Sequence, residues 1–225
     1  MEELSIFITA HIQNETQLNV LFECLKKLRE NYNEKIFIID NNSFININYL
    51  ENQKNNIIII NHNSGSQSEL LFYYYYYKLK PSKKAIYIHD SMILLKKIDI
   101  SNITNIKFLL EFNKSFKIKE QDDLILKLNH GDKIIQTENW VGCFGCSSII
   151  TYDYLEYLIK EYNLLLLMDY IKTRIDREML ERIIGIVVCY DLKTSENLNF
   201  FGDLWIYQPL NYNPNKGLFK ISFGR

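Results

Sequence analysis

Short apolar runs alternate with segments of helical spacing between residues 4 and 88, and this alternation restricts the fold more than any other feature. The apolar runs occupy residues 4–9, 35–40, 56–61 and 85–88. Apolar residues recur every three or four positions over 14–32, and a second helix is predicted over 66–80. Buried strands joined by crossover helices form parallel sheets. The sequence therefore predicts an α/β fold with a mixed, mainly parallel sheet flanked by helices.

The second half of the chain carries weaker signals. Residues 107–112 are compatible with a strand, and the rest of 98–139 reads as polar loop. The run WVGCFGCSSII at 140–150 predicts a strand that contains two glycines. Helices are predicted from Thr151 onward and over 176–188, and the tail beyond Phe200 is expected to be extended coil or an edge strand.

Composition excludes some partners and compartments. The 26 basic and 27 acidic residues nearly cancel, so we predict neither a nucleic-acid partner nor an electrostatic membrane partner. No apolar run has the length of a membrane span, and the start MEELSIFITAH does not read as a signal peptide. The protein is therefore expected to be soluble and cytoplasmic. Its four cysteines are expected to be buried and reduced, because the lone pair Cys143/Cys146 lacks partners for a zinc site.

Polar residues end successive predicted strands. They are Thr9 and His11, then the run Asp40-Asn41-Asn42-Ser43, then His89-Asp90-Ser91. In a parallel sheet these ends share one edge, where nucleotides bind. A carboxylate at that edge can contact a ribose or a base, or hold a cation that bridges a diphosphate. The chain contains no G-x-G-x-x-G and no G-x-x-x-x-G-K-[ST], which argues against a common dinucleotide fold and a P-loop NTPase.

The segments FITAH, FIIDNNS, NSGSQSEL and YIHDSMIL, in that order, resemble GT-A-fold glycosyltransferases, more narrowly those of the family 2 type. The resemblance implies one domain over 1–225. Residues 1–97 would be the nucleotide-binding half, and 98–225 the acceptor half with a C-terminal tail. It implies transfer of a sugar from a nucleotide-diphosphate sugar, with UDP favoured. The acceptor would be a glycan, a protein or a small molecule, and homodimer formation is left open.

The resemblance also implies site residues. Nucleotide-sugar contacts are expected from Thr9, His11, Asp40, Asn42, Ser66, His89, Asp90, Trp140 and Gly142. His89-Asp90-Ser91 stands where the family has its D-x-D metal motif, so Asp90, with His89 as a nitrogen ligand, is expected to hold Mn²⁺ or Mg²⁺. Only one carboxylate is present there. A strand-end or turn cap is the alternative for Asp90, and a turn-forming aspartate is the alternative for Asp40. A core tryptophan beside a strand bulge is the alternative for Trp140.

Residues 174–182 occupy the place of the family's acidic motif, where a carboxylate deprotonates the acceptor. Helical spacing puts Asp176 on the side of the apolar residues, and puts Glu178, Glu181 and Arg182 elsewhere. Asp176 is therefore the expected catalytic base and Glu178 the second candidate. An N-cap is the alternative role for Asp176. The basic residues Lys216, Lys220 and Arg225 could close over the diphosphate.

Two other functions stay open. A sugar-phosphate nucleotidyltransferase would be expected to carry a glycine-rich loop after the first strand, and residues 9–13 contain no glycine. A non-catalytic nucleotide-sugar-binding module agrees with the reduced metal motif.

Overall fold

The computed structural model describes residues 1–53, 56–63, 67–113, 118–213 and 215–221. The strands are β1 (Glu2–Ala10), β2 (Lys35–Asn41), β3 (Ile57–His62), β4 (Ser82–His89), β5 (Met92–Leu94), β6 (Ile106–Phe108), β7 (Glu111–Asn113), β8 (Val141–Cys143), β9 (Ser148–Thr151) and β10 (Leu218–Lys220). The α-helices are α1 (Glu15–Asn31), α2 (Ser68–Leu79), α3 (Lys119–Ile125), α4 (Gly131–Ile134), α5 (Tyr152–Tyr162), α6 (Arg174–Leu192) and α7 (Leu204–Tyr207). Short 3₁₀ turns cover Asn48–Gln53, Phe144–Cys146 and Leu164–Asp169.

Six of these strands form the central sheet, in the order β3-β2-β1-β4-β9-β6. The first four pair in parallel, and β9 runs antiparallel to both β4 and β6. Ala10 lies beside Asp40, and Thr9 lies beside His89, so the polar ends of β1, β2 and β4 are level at one edge. The predicted fold class, a mixed and mainly parallel sheet flanked by helices, is confirmed.

Both faces of the sheet are buried, which explains the uninterrupted apolar runs in its central strands. Ile6 and Ile8 face the layer that contains α1, whereas Phe7, between them, faces the layer that contains α2, α5 and α6. Side chains that alternate along a strand point to opposite faces. Strands of both halves of the chain contribute to this one sheet.

Aromatic rings fill the layer under α2. The Phe72 ring stacks on Tyr87 at 4.5 Å between centroids and meets Phe7 at 5.4 Å. Within the tyrosine run of α2, Tyr73 and Tyr76 are fully buried and the other three are half-buried. The run therefore belongs largely to the core.

Side-chain caps fix where α1, α5 and α6 begin. Asn14 accepts a hydrogen bond from the Gln17 N–H at 3.0 Å, and Thr151 accepts one from the Tyr154 N–H at 3.3 Å. Helix α6 is capped by Thr173, whose hydroxyl accepts the Asp176 N–H at 3.2 Å. This helix therefore begins before the predicted residue 176, because the cap precedes Asp176 by three positions.

Several predictions for the second half are wrong in detail. The region 98–139 contains α3 and α4 as well as loops, and a break separates β6 from β7 within the predicted strand 107–112. The predicted strand 140–150 is interrupted at Gly145 and Cys146, whose φ values of 60° and 51° are left-handed. The tail includes the short helix α7, and its strand β10 pairs with β5.

Two simpler expectations concern the cysteines and the membrane. All four cysteines are buried and unbonded, as predicted. No helix in the described ranges is long and apolar enough to cross a membrane.

Replacing Phe72 with alanine should remove the centre of the aromatic layer. Because Phe72 is fully buried, we expect the free energy of unfolding in urea to fall by about 3–5 kcal/mol. Tyr74→Ala, at a half-buried position of the same helix, is the control and should cost about 1 kcal/mol or less. Equal effects of the two substitutions would contradict this packing.

Candidate functional site

A cleft of about 460 Å³ opens at the edge where β1, β2 and β4 end. This volume is in the range of small-molecule sites. The cleft is lined by Thr9, Ala10, His11, Asn41, Glu69, His89, Asp90, Ser91, Phe144, Gly145, Arg174, Arg177, Glu178, Glu181, Lys220 and Ile221.

Asp90 connects the ends of β1 and β4 at the floor of this cleft. Its N–H donates to the Thr9 carbonyl at 3.1 Å, and its Oδ2 accepts the His11 N–H at 3.1 Å. The residue is only 6% exposed, so backbone contacts fix the carboxylate in place. The His11 ring is held in turn by the Asn41 carbonyl, 2.7 Å from Nδ1.

The turn at Gly145 forms a wall of the cleft and requires glycine. The Gly145 φ is +60°, and a Cβ at this position would lie 2.7 Å from Nε2 of His89. That nitrogen lies 2.6 Å from the Gly145 carbonyl oxygen, which can only accept, so Nε2 carries the hydrogen. The Gly145 N–H donates to the Glu181 carboxylate. The carbonyl and the N–H of a single residue, Gly145, therefore contact His89 and Glu181 respectively.

Glu181 is a carboxyl group with a raised pKa. Burial, followed by the charge of Glu69, raises the pKa of Glu181 to about 8, although the Gly145 N–H and the Lys220 ammonium act to lower it. A carboxyl group with a pKa near neutrality can both accept and release a proton at physiological pH. The cleft thus contains a group suited to acid–base chemistry.

Three cationic side chains share the cleft with these acids. Lys220 enters it on β10, and its Nζ donates to the Ser91 hydroxyl at 3.1 Å. Arg174 and Arg177 come from the first turn of α6, and Nε of Arg174 pairs with Glu178 at 3.0 Å. An anion that binds here would meet positive charge from two separate elements.

The structure brings together six of the residues predicted from sequence. The cleft is lined by Thr9, His11, His89, Asp90, Glu178 and Lys220. Asp40 and Asn42 lie at the same edge but are not among the lining residues. Asp40 accepts the Ser43 N–H at 3.0 Å, the turn-forming role given as its alternative. The exposed Asn42 has a left-handed φ of 60°. Ser66 and Arg225 lie outside the described residues.

Trp140 and Gly142 do not line the cleft. Trp140 is 6% exposed and packs in the core with the Arg182 guanidinium 5.0 Å from its ring centroid. A Cβ on Gly142 would lie 2.1 Å from the Phe112 ring, so this glycine allows β7 and β8 to pack closely. Trp140 is therefore a core residue, which was the alternative given for it.

Asp176 also lies outside the cleft lining. Its carboxylate accepts the N–H groups of Lys172 and Thr173 at 2.9 and 2.7 Å. Burial acts to raise the pKa of Asp176, but these bonds and the Thr173 hydroxyl outweigh burial and lower the pKa. Asp176 therefore has the capping role given as its alternative. Helical spacing predicted that Glu181 and Arg182 project away from the apolar side of α6. This prediction is wrong, because Arg182 is buried and burial raises the pKa of Glu181.

Sequence reasoning missed Glu69, Glu181, Gly145 and the two arginines as cleft residues. Glu181, Arg174 and Arg177 lay within the acidic segment that was considered, but choosing among them required the packing of α6 against the Gly145 turn. The run WVGCFGC was interpreted as one continuous strand, so the turn at Gly145 was not predicted.

The predicted Mn²⁺ or Mg²⁺ site has one suitable ligand. Asp90 fits, because Mg²⁺ in nucleotide sites is held by one or two carboxylates together with substrate phosphates. His89 does not fit through Nε2, which donates to Gly145. Within the described ranges, no group of three or more His, Cys, Asp or Glu side chains is placed to hold a metal ion. The ion stays a prediction that rests on Asp90.

No protein-family model and no curated protein matches the chain. Among solved structures, it is similar to residues 1–349 of S. aureus TarS, with 11% identity and a TM-score of 0.42, over 81% of this chain and 56% of that one. The same TarS fragment in complex with UDP gives a TM-score of 0.42 at 11% identity, over 79% and 53%. The galactosyltransferase LgtC, in complex with donor and acceptor sugar analogs, gives 0.46 at 11% identity, over 80% and 70%. The chain spans little more than half the TarS fragment.

The stability of the protein should depend on pH through Glu181. Its pKa is higher in the folded chain than in the unfolded chain, so its contribution is complete below about pH 4.5 and is lost as pH rises through about 8. We therefore expect wild-type stability to fall across this window relative to Glu181→Gln. Urea unfolding of both proteins at several pH values measures the difference. Parallel curves would contradict the raised pKa.

Proposed function

We propose that the chain is a glycosyltransferase that uses a nucleotide-diphosphate sugar, with UDP as the favoured nucleotide. The observation that carries this proposal is the position of Asp90. It lies on the floor of a cleft at the carboxyl edge of a parallel sheet, fixed by Thr9 and His11. Such an edge is the place where α/β proteins bind nucleotides.

The nucleoside would lie along the ends of β1 and β2, near His11 and Asn41, and the diphosphate would extend towards Asp90. Lys220 on β10 and Arg177 on α6 would attract its negative charge from two separate elements. Asp90 is the residue that would hold Mn²⁺ or Mg²⁺. A bound ion would supply further charge neutralisation for the leaving diphosphate. Stabilisation by charged and polar groups that are already positioned where charge develops is usually the largest single contribution to catalysis.

Glu181 is our candidate for the catalytic base of a transfer that inverts the anomeric centre. A pKa of about 8 lets Glu181 accept a proton from an acceptor hydroxyl and release it to solvent near neutral pH. Glu178 is the second candidate in the cleft. Asp176 is a weaker base because its pKa is lowered, and its carboxylate is engaged in the cap of α6. The Gly145 N–H would keep the Glu181 carboxylate in one orientation.

Calorimetry with a panel of nucleotide sugars, with and without Mn²⁺, tests the proposal, followed by an assay of donor hydrolysis. We expect a UDP-sugar to bind and to turn over slowly without acceptor. In the presence of Mn²⁺, Asp90→Asn should weaken binding about 10-fold or more, the size of one lost charge-assisted contact to the ion, whereas Asp153→Asn, on the exposed first turn of α5, should not. Binding without turnover would favour the nucleotide-sugar-binding module. The absence of binding to any nucleotide sugar would contradict the proposal.

Two matched carboxylate substitutions separate the base candidates. Glu181→Gln should lower turnover about 100-fold or more, the usual size of a lost general base, with little change in UDP affinity. Asp176→Asn should leave turnover within a few-fold and lower the free energy of unfolding by about 1 kcal/mol, as for a lost helix cap. Rates and urea unfolding of both variants check this. A large loss of turnover only in Asp176→Asn would restore the sequence-based assignment.

A further inference from the structure

The segment after Asp203 holds large apolar side chains in solvent. Trp205 is 71% exposed, Ile206 84%, Leu210 57% and Tyr212 64%. Single exposed apolar residues are common, but a group of four large ones in eight residues marks an interaction site. We call these four residues the aromatic surface.

This exposure does not come from a loose tail. Asp203 caps α7 by accepting the N–H groups of Trp205 and Ile206 at 2.8 and 3.3 Å. The Tyr207 hydroxyl bonds to the backbone N–H of Leu218 at 2.8 Å and to its carbonyl at 3.1 Å. Strand β10 then pairs with β5. The aromatic surface is therefore presented by an ordered part of the fold.

The charged residues within the segment that carries the aromatic surface are all basic, and the acid that precedes it, Asp203, is engaged in the cap of α7. Residues 204–225 contain Lys216, Lys220 and Arg225 and no aspartate or glutamate. Lys96 reaches this segment from outside, since its Nζ donates to the Asn215 carbonyl at 2.9 Å. Lys216 donates to the Tyr207 carbonyl. The net charge of the whole chain is close to zero, so composition alone did not indicate this local excess of basic residues or a membrane partner.

We propose that the aromatic surface, with Lys96 and Lys216 beside it, binds the interface of an anionic membrane without spanning the bilayer. Tryptophan and tyrosine prefer the headgroup level, where their rings are buried and their polar atoms stay hydrated. Ile206 and Leu210 would enter the acyl boundary, and the lysines would meet anionic headgroups.

A second copy of the chain suits this surface less well. A symmetric dimer through one patch brings the same surface of both subunits together. The lysines of both copies would then share one interface, and the nearest acid, Asp203, is already engaged in the cap of α7. An excess of like charge in an interface is unfavourable. The surface thus fits an acidic lipid interface better than its own copy.

Vesicle flotation with the full chain tests this surface, and tryptophan fluorescence adds an independent signal. Trp140 is buried, so a blue shift on adding vesicles would report Trp205. We expect binding to phosphatidylcholine vesicles that contain about 30% phosphatidylserine, and weaker binding at about 0.5 M salt because screening shortens the reach of the lysines. The double variants Trp205→Ser/Ile206→Ser and Lys96→Gln/Lys216→Gln should each bind about 10-fold more weakly.

Leu126→Ser is the matched control, because Leu126 is 52% exposed at the end of α3, and it should bind vesicles like wild type. Circular dichroism confirms that each variant is folded. The proposal is overturned if wild type binds no vesicle, or if Trp205→Ser/Ile206→Ser binds as well as wild type. It is also overturned if sedimentation shows a dimer that this variant abolishes, with no affinity for vesicles. None of these outcomes depends on nucleotide binding.

Discussion

The parallel pairing of β1 with β2 and β4 is the constraint on which the rest of the structure depends. It sets Ala10 beside Asp40 and Thr9 beside His89, so polar residues that are far apart in sequence meet at one edge. The hydrogen bonds of Asp90 to Thr9 and His11 then join the strand ends into the floor of the cleft. Packing on both faces keeps this register, because a shift by one residue would exchange Phe7 with its neighbours Ile6 and Ile8, which pack in different layers.

The second half of the chain completes the cleft through one turn. Gly145 adopts a left-handed conformation close to His89, and its carbonyl and N–H contact His89 on β4 and Glu181 on α6 respectively. Desolvation and the neighbouring Glu69 then hold Glu181 partly protonated near neutral pH. Lys220, carried in by β10, adds positive charge close enough to act on Glu181. Four distant segments thus combine acidic, basic and hydrogen-bonding groups in one cavity.

The sequence was informative where local patterns decide the structure. Four apolar runs and the cap residues Asn14 and Thr151 predicted strands and helices close to those observed. The positions of His11 and Asp90 after the ends of parallel strands correctly placed both residues at the cleft. Sequence patterns were not sufficient where tertiary contacts decide the structure. The residues around Gly145 contain no local pattern that predicts a turn against His89. Asp176 was preferred to Glu181 because helical spacing cannot show which neighbours desolvate a carboxylate or which backbone N–H groups a cap satisfies.

A crystal structure of the chain with a bound UDP-sugar tests the central claim most directly. The account predicts electron density for the nucleotide at the ends of β1 and β2, with the diphosphate between Asp90 and Lys220 and the sugar facing Glu181. Density for the nucleotide on another surface, with these three side chains in contact only with protein and water, would contradict it.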